Sequence, residues 1–186
     1  MKVDVGDRTD EPTVAYLGRM EYTKGADLLP KIIREVESDV NFRIAGNGTL
    51  SDRIENFSNS RDDVEYLGRV SEKEKKKLLS ESWLCIVPSR IEGWGLVASE
   101  ANASGTPVLG FDQGGLGESI SDGQTGELVK FDESIENSID EFADRIDDLA
   151  SDEEKIDILS KKSREAAENR DWSEKVDQME KLLGNR

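Results

Sequence analysis

The chain has no histidine, a single cysteine and few basic residues: 25 lysines and arginines face 41 aspartates and glutamates, for a formal net charge of −16. A surface of that sign repels a polyphosphate backbone instead of neutralising it, which argues against DNA or RNA as a partner. Cys85 alone excludes an intrachain disulfide and points to a reducing compartment, and its place in an apolar run marks it as a core residue. No apolar stretch approaches the ~20 residues that cross a bilayer. Residues 1–11 are too polar for a signal peptide, so a cytoplasmic location is expected. That segment has no apolar period and ends at Pro12, and it reads as a polar linker or remnant, with one domain occupying residues 12–186.

The acids concentrate downstream, where residues 132–157 carry twelve aspartates and glutamates against Arg145 and Lys155. Such a run reads as a solvated face, in keeping with a halophile-like surface that stays soluble in concentrated salt. Up to Phe131 the pattern alternates between short apolar strands and helical stretches. Strands are expected at Thr13–Leu17, Asn41–Ala45, Val64–Leu67, Trp83–Pro88, Thr106–Phe111 and Glu127–Lys130. Leu28, Leu29, Ile32, Ile33 and Val36 mark one face of a first helix, and Ser71 with Glu74 forms a capping-box signature before a Lys-rich one. Strands alternating with helices predict a parallel sheet with right-handed crossovers, and ligands of such sheets sit at the carboxyl ends of the strands, where the glycine-rich loops are all expected. Past Phe131 the chain reads as helical. Ile135, Ile139, Phe142, Ile146 and Leu149 form one stripe, further helices are expected near residues 152–168 and 173–183, and Trp172 is expected to dock the last of them.

The most informative stretch is Glu92-Gly-Trp-Gly-Leu-Val-Ala-Ser-Glu100, two carboxylates eight positions apart around a glycine-bracketed aromatic, directly after an apolar strand. Gly93 and Gly95 let the backbone approach a ligand closely, and the helix expected from Leu96 offers free N–H groups to an anionic or hydroxyl-rich guest. A carboxylate at that mouth suits hydroxyls. The ordinary reading of any one of these residues in isolation is a solvated charge or a packed aromatic.

Together with Gly18-Arg19, Lys24-Gly25, Ala45-Gly46-Asn47-Gly48, Tyr66-Leu67-Gly68, Val87-Pro88-Ser89, Gly105-Thr106-Pro107-Val108, Gly114-Gly115 with Glu118 and Asp122-Gly123, this motif resembles the C-terminal, donor-binding domain of retaining GT-B glycosyltransferases of family 4, also called group 1. The match runs from Thr13 to about Leu183. It implies an α/β, Rossmann-like, doubly wound parallel sheet, one half of a GT-B fold, with C-terminal helices. It also implies an enzyme that transfers a sugar of hexosyl type from a nucleotide-diphosphate sugar to an acceptor hydroxyl with retention.

By that resemblance Arg19, Lys24 and Glu92 are the catalytic candidates. Arg19 and Lys24 would hold the donor diphosphate as it leaves, and Glu92 would accept hydrogen bonds from the sugar. The donor-binding set is Gly18, Gly46, Asn47, Gly68, Val70, Gly93, Trp94, Gly95, Leu96 and Glu100, with Glu100 on the ribose and the base near Gly68 to Val70. Trp94 stands where family members usually carry Phe. No Asp-x-Asp triplet occurs, so no metal is indicated and no cofactor is required beyond the donor substrate. The acceptor, a glycan, lipid or small molecule, would be held by an N-terminal domain expected to be absent here. The chain alone is therefore expected to be inactive or weakly active, and the full enzyme could be membrane-peripheral. Two other readings share these residues: a stand-alone nucleotide- or sugar-binding module, and half of a GT-B nucleotide-sugar epimerase.

Overall fold

A computed structural model describes residues 8–169. Six strands, β1 (Thr13–Leu17), β2 (Asn41–Ala45), β3 (Val64–Gly68), β4 (Leu84–Val87), β5 (Val108–Phe111) and β6 (Gly126–Val129), form one sheet in the order β3-β2-β1-β4-β5-β6. All neighbours pair in parallel, with Val14 opposite Phe42 on one side and Leu84 on the other. The inner strands β1, β4 and β5 are buried on both faces because both are covered. Val14, Tyr16, Phe42, Ile44, Leu84, Ile86, Leu109 and Phe111 point into the larger core, and Ala15, Ala45, Cys85, Val87 and Val108 into the opposite layer.

On the first face lie α1 (Leu29–Glu35), α2 (Ser51–Ser58) and α6 (Ile135–Ala150), whose Ile139, Phe142, Ile146 and Leu149 are buried along the expected stripe. On the second lie α3 (Glu72–Glu81), α4 (Leu96–Ala103) and the single turn α5 (Leu116–Ser119). The long α7 (Glu153–Asn169) packs against α6 of one layer and α4 of the other. The Rossmann-like, doubly wound sheet is thus the one expected.

Local details follow the side chains. At α3, Ser71 Oγ accepts from the Glu74 amide at 3.3 Å while Glu74 takes the Ser71 amide at 2.7 Å, the reciprocal capping box. Pro107 has no N–H to give to a ladder, and β5 begins one residue after it. Between β2 and β3 the register slips, so Ile44 faces Tyr66 but Ala45 faces Gly68, leaving Leu67 as the extra residue.

Residues 8–11 of the polar segment carry contacts of their own, and two expectations are corrected. Residues 8–11 are fastened to the domain: the Thr9 amide donates to the Glu81 carbonyl at 3.1 Å, Trp83 Nε1 donates to the Thr9 carbonyl at 2.8 Å, and Arg8 pairs with Asp157. The glycine turn at residues 122–126 enters β6 and so lies at the amino end of the sheet, opposite the other loops. Within the acidic stretch, Asp147 is partly buried, and its carboxylate accepts the Glu37 and Ser38 amides just past α1 at 2.8–3.2 Å. Trp172 and the helix expected at 173–183 lie outside the described residues.

Candidate functional site

Because the strands run parallel, their carboxyl ends share one rim, and the reversal of strand order between β1 and β4 opens a crevice in it. Gly18 and Arg19 follow β1, Gly46 and Asn47 follow β2, Gly68 ends β3 with Arg69 and Val70 after it, and Gly93 to Gly95 lead from β4 to Leu96, the first residue of α4. Glu100 rises one turn further along α4. The rim is sewn together by its own backbone: the Gly18 amide donates to the Ala45 carbonyl at 3.1 Å and the Gly46 amide to the Gly68 carbonyl at 2.7 Å. The Tyr66 hydroxyl donates to the Gly46 carbonyl at 2.9 Å. Asn47 Oδ1 accepts from the Ser51 hydroxyl at 3.3 Å, so its side chain serves its own turn. Val70 packs its side chain towards Ala15, Ala45 and Leu78, which leaves backbone as what it can offer a ligand.

Two ion pairs organise the polar groups. Lys24, at the end of the 3-10 turn Tyr22–Lys24, donates to Glu92 Oε2 at 2.7 Å with both side chains mostly buried. Glu92 Oε1 has no hydrogen-bond partner among the described residues. Lys75 on α3 donates to Glu100 Oε1 at 2.7 Å and to Glu72 at 2.8 Å, again leaving Glu100 with an open oxygen. Each glutamate is therefore held on one side and free on the other. Lys75 carries no mark in the sequence that separates it from its lysine neighbours; only the packing of α3 on α4 brings it to Glu100. Arg19 is exposed and makes no ion pair among the described residues.

The N-terminus of α4 carries no side-chain cap and no acid in its first turn. Gly95, at φ 57°, sets its entry, and a Cβ there would stand 2.5 Å from Ser119 Oγ. The uncompensated first-turn amides and the helix dipole favour an external anion. Trp94 projects from this loop 80% exposed, with its carbonyl accepting from the Ser119 hydroxyl at 2.9 Å.

Glu21, absent from the sequence reading, ties the β1 and β2 loops: Oε1 accepts the Thr49 amide at 3.1 Å and Oε2 the Thr49 hydroxyl at 2.9 Å. The Thr49 amide above all, then its hydroxyl, holds this carboxyl below the ordinary 4.5. A pKa lowered in the folded state means that the tether is whole above the ordinary value and is lost as pH falls through the lowered one. The Thr49 amide resonance, followed by NMR through an acid titration, is expected to shift with a midpoint below 4.5. A midpoint at or above that value would show that the contact is not made in solution.

Elsewhere the chemistry is quiet. Burial pushes the Cys85 thiol up to about 12, which keeps it unreactive. Burial also raises the Tyr16 hydroxyl, which donates to the Arg19 carbonyl at 3.1 Å and serves as a strut. Among the described residues no cluster of three or more Cys, Asp or Glu is placed to hold a metal ion, and no helix is long and apolar enough to cross a membrane.

Comparison with known proteins places this rim in context. The family model described as glycosyl transferases group 1 matches residues 2–170. An uncharacterised glycosyltransferase of Methanocaldococcus jannaschii is 33% identical over 163 residues, covering 87% of this chain and 44% of that protein. Among solved structures, S. aureus TarM, in complex with fondaparinux, α-GlcNAc-glycerol and UDP, superimposes with a TM-score of 0.83 at 27% identity, over 99% of this chain and 38% of its own. Anabaena HepE, in complex with UDP and glucose, shares the fold at a TM-score of 0.80 and 21% identity, over 95% of this chain and 49% of its own. The chain spans less than half the length of each of these proteins.

Proposed function

The chain belongs to the group 1 glycosyl transferases, and we propose that it forms the domain that binds the nucleotide-diphosphate sugar in a retaining enzyme of that family. The observation that carries this reading is the pair Lys24–Glu92, a 2.7 Å bridge from the turn after β1 to the loop that leads to the uncapped start of α4. It sets a cation for phosphate and a half-free carboxylate for sugar hydroxyls side by side. Arg19, exposed and in no ion pair among the described residues, adds a second positive charge that favours an anionic ligand on a strongly acidic protein. Charge develops on the diphosphate as the sugar leaves, and Arg19, Lys24 and the α4 amides are arranged to stabilise it. Gly93 to Leu96 and Glu92 would line the sugar, Glu100 would take the ribose hydroxyls with the oxygen that Lys75 leaves free, and the base would rest on the backbone at Gly68 to Val70, with Gly18, Gly46 and Asn47 beneath the phosphates. The sugar would pass to an acceptor hydroxyl on the same face of the anomeric carbon, the acceptor being held by a second domain.

UDP is the nucleotide to test first, since TarM and HepE are both solved with it. Calorimetric titration of the chain in concentrated salt without added metal is expected to show binding of one among UDP, GDP and ADP. Loss of a charge-assisted hydrogen bond removes ~1.5–3 kcal/mol, so Arg19→Ala and Glu100→Ala should each weaken that binding roughly 10- to 100-fold. A folded chain that binds none of the three would overturn the proposal.

A further inference from the structure

The 3-10 turn that carries Lys24 buries none of its own three residues. Its position is set by neighbouring groups: the Tyr16 hydroxyl lies 3.4 Å from the Lys24 carbonyl, and Arg90 with the segment after β4 adds several contacts more. Arg90, two residues before Glu92 on the β4–α4 loop, grips Asp27 in a fork, Nη1 to Oδ1 at 2.6 Å and Nη2 to Oδ2 at 2.9 Å. The same Nη1 donates to the Tyr22 carbonyl at 2.8 Å, and the guanidinium stacks 3.9 Å from the Tyr22 ring centroid. The Arg90 and Ile91 amides both donate to the Thr23 carbonyl, at 3.1 and 3.2 Å. Directly after Lys24, Gly25 turns at φ 69°, with a Cβ position only 1.8 Å from the Pro88 carbonyl oxygen. The Arg90 and Asp27 side chains are 15% and 14% exposed, so the fork is largely sheltered from screening.

These contacts join the segment between β1 and α1 that carries Lys24 to the segment between β4 and α4 that carries Glu92. We propose that Arg90, with Asp27 and the Tyr22 ring, is the positioning element that fixes the Lys24 ammonium against Glu92, and through it decides how strongly the site feels the second phosphate of its nucleotide. The proposal rests on the reading of Lys24 as a diphosphate ligand. An arginine is required because the three partners lie around one planar group: a carboxylate across its fork, a carbonyl at one edge and an aromatic ring on its face. A lysine supplies the charge but cannot meet the fork and the ring together.

The test compares the nucleoside diphosphate that the chain binds with the matching monophosphate (UDP with UMP, or the guanosine or adenosine pair), which differ by the phosphate that Lys24 would contact. Wild-type chain is expected to prefer the diphosphate, and Lys24→Met to lose about 10-fold of that preference, the scale of one charge-assisted contact. Arg90→Lys and Asp27→Asn should reduce the diphosphate-to-monophosphate preference by a similar factor while monophosphate affinity stays within about twofold. Placed on top of Lys24→Met, Arg90→Lys should add nothing, because both act through one contact. If Arg90→Lys does not fold, Tyr22→Leu stands in for it: Tyr22 is 62% exposed and its replacement leaves the fork in place, and a smaller fall in the same ratio is expected. A chain that binds the diphosphate and prefers it, but whose preference is unmoved by Arg90→Lys and Tyr22→Leu, overturns this inference and leaves the functional reading standing. Equal loss of diphosphate and monophosphate affinity, persisting in the Lys24→Met background, would show a purely structural role and overturn it as well. A wild-type chain with no preference for the second phosphate removes the premise itself.

Discussion

Gly46→Val is expected to abolish detectable nucleotide binding and to lower the unfolding free energy by about 2–6 kcal/mol, the sum of backbone strain and overpacking. Gly46 sits at φ 139°, and a Cβ there would lie 1.7 Å from the Gly18 carbonyl oxygen and 3.1 Å from the end of Met20. The backbone has nowhere to retreat. Its amide is bound to the Gly68 carbonyl at 2.7 Å and its carbonyl to the Tyr66 hydroxyl at 2.9 Å, so a shift that relieves the β1 side breaks the β3 side. The three loops so joined carry Arg19, Asn47 and Val70, so a shift at Gly46 displaces proposed donor-binding groups on all three. Gly68 is the internal control. It too is left-handed, at φ 60°, but a Cβ there meets nothing within 4 Å, so Gly68→Ala should pay only about 1 kcal/mol of strain. Urea unfolding midpoints and UDP titration of the two variants check this. Equal midpoints would mean that the β1 and β2 loops are not locked together as described.

What could be read from the sequence and what could not divide along a physical line. The inner strands β1, β4 and β5 are legible because each is short, apolar on both faces and bounded by glycine or proline, a pattern that parallel pairing under two helical layers demands. The α6 stripe was legible for the same reason, with five apolar positions at helical spacing. Site residues supplied by loops at the strand ends could be placed on the rim once the strands were placed. The partners of those residues could not. Lys75, Arg90 and Asp27 are charged residues in charged surroundings, and no periodicity distinguishes a lysine that reaches Glu100 at 2.7 Å from one that reaches water. Their role exists only after α3 packs beside α4 and the β1 loop meets the β4 loop. The contacts of residues 8–11, which read as polar linker or remnant, are hidden for a related reason: no pattern shows that the Thr9 amide and carbonyl meet Glu81 and Trp83.

Phe142→Ala is expected to cost about 3–5 kcal/mol, as for a fully buried aromatic whose site cannot collapse. For a domain of this length that corresponds to a fall in Tm of about 6–20 °C. Phe142 is 0% exposed on the inner face of α6, with its ring 4.8 Å from that of Phe111 at 58°, and Phe111 in turn meets Phe131 edge-on at 4.9 Å. These rings weld α6 and the segment after β6 to the end of β5, and a smaller side chain opens a void between rigid neighbours. Binding should respond quite differently. Phe142 reaches none of the rim residues directly, so UDP affinity of the folded protein is expected to stay within about twofold, as for sites without shared partners. One route could carry a larger effect: Phe111 ends the strand that leads to Gly114 and Gly115, and the Gly115 amide donates to the Glu92 carbonyl at 2.8 Å. Thermal melts read against calorimetric affinity therefore distinguish two kinds of lesion. Gly46→Val should lose both quantities and Phe142→Ala only stability, whereas a Phe142→Ala protein that is folded but binds UDP more than tenfold more weakly would show that the core beneath β5 sets the position of Glu92.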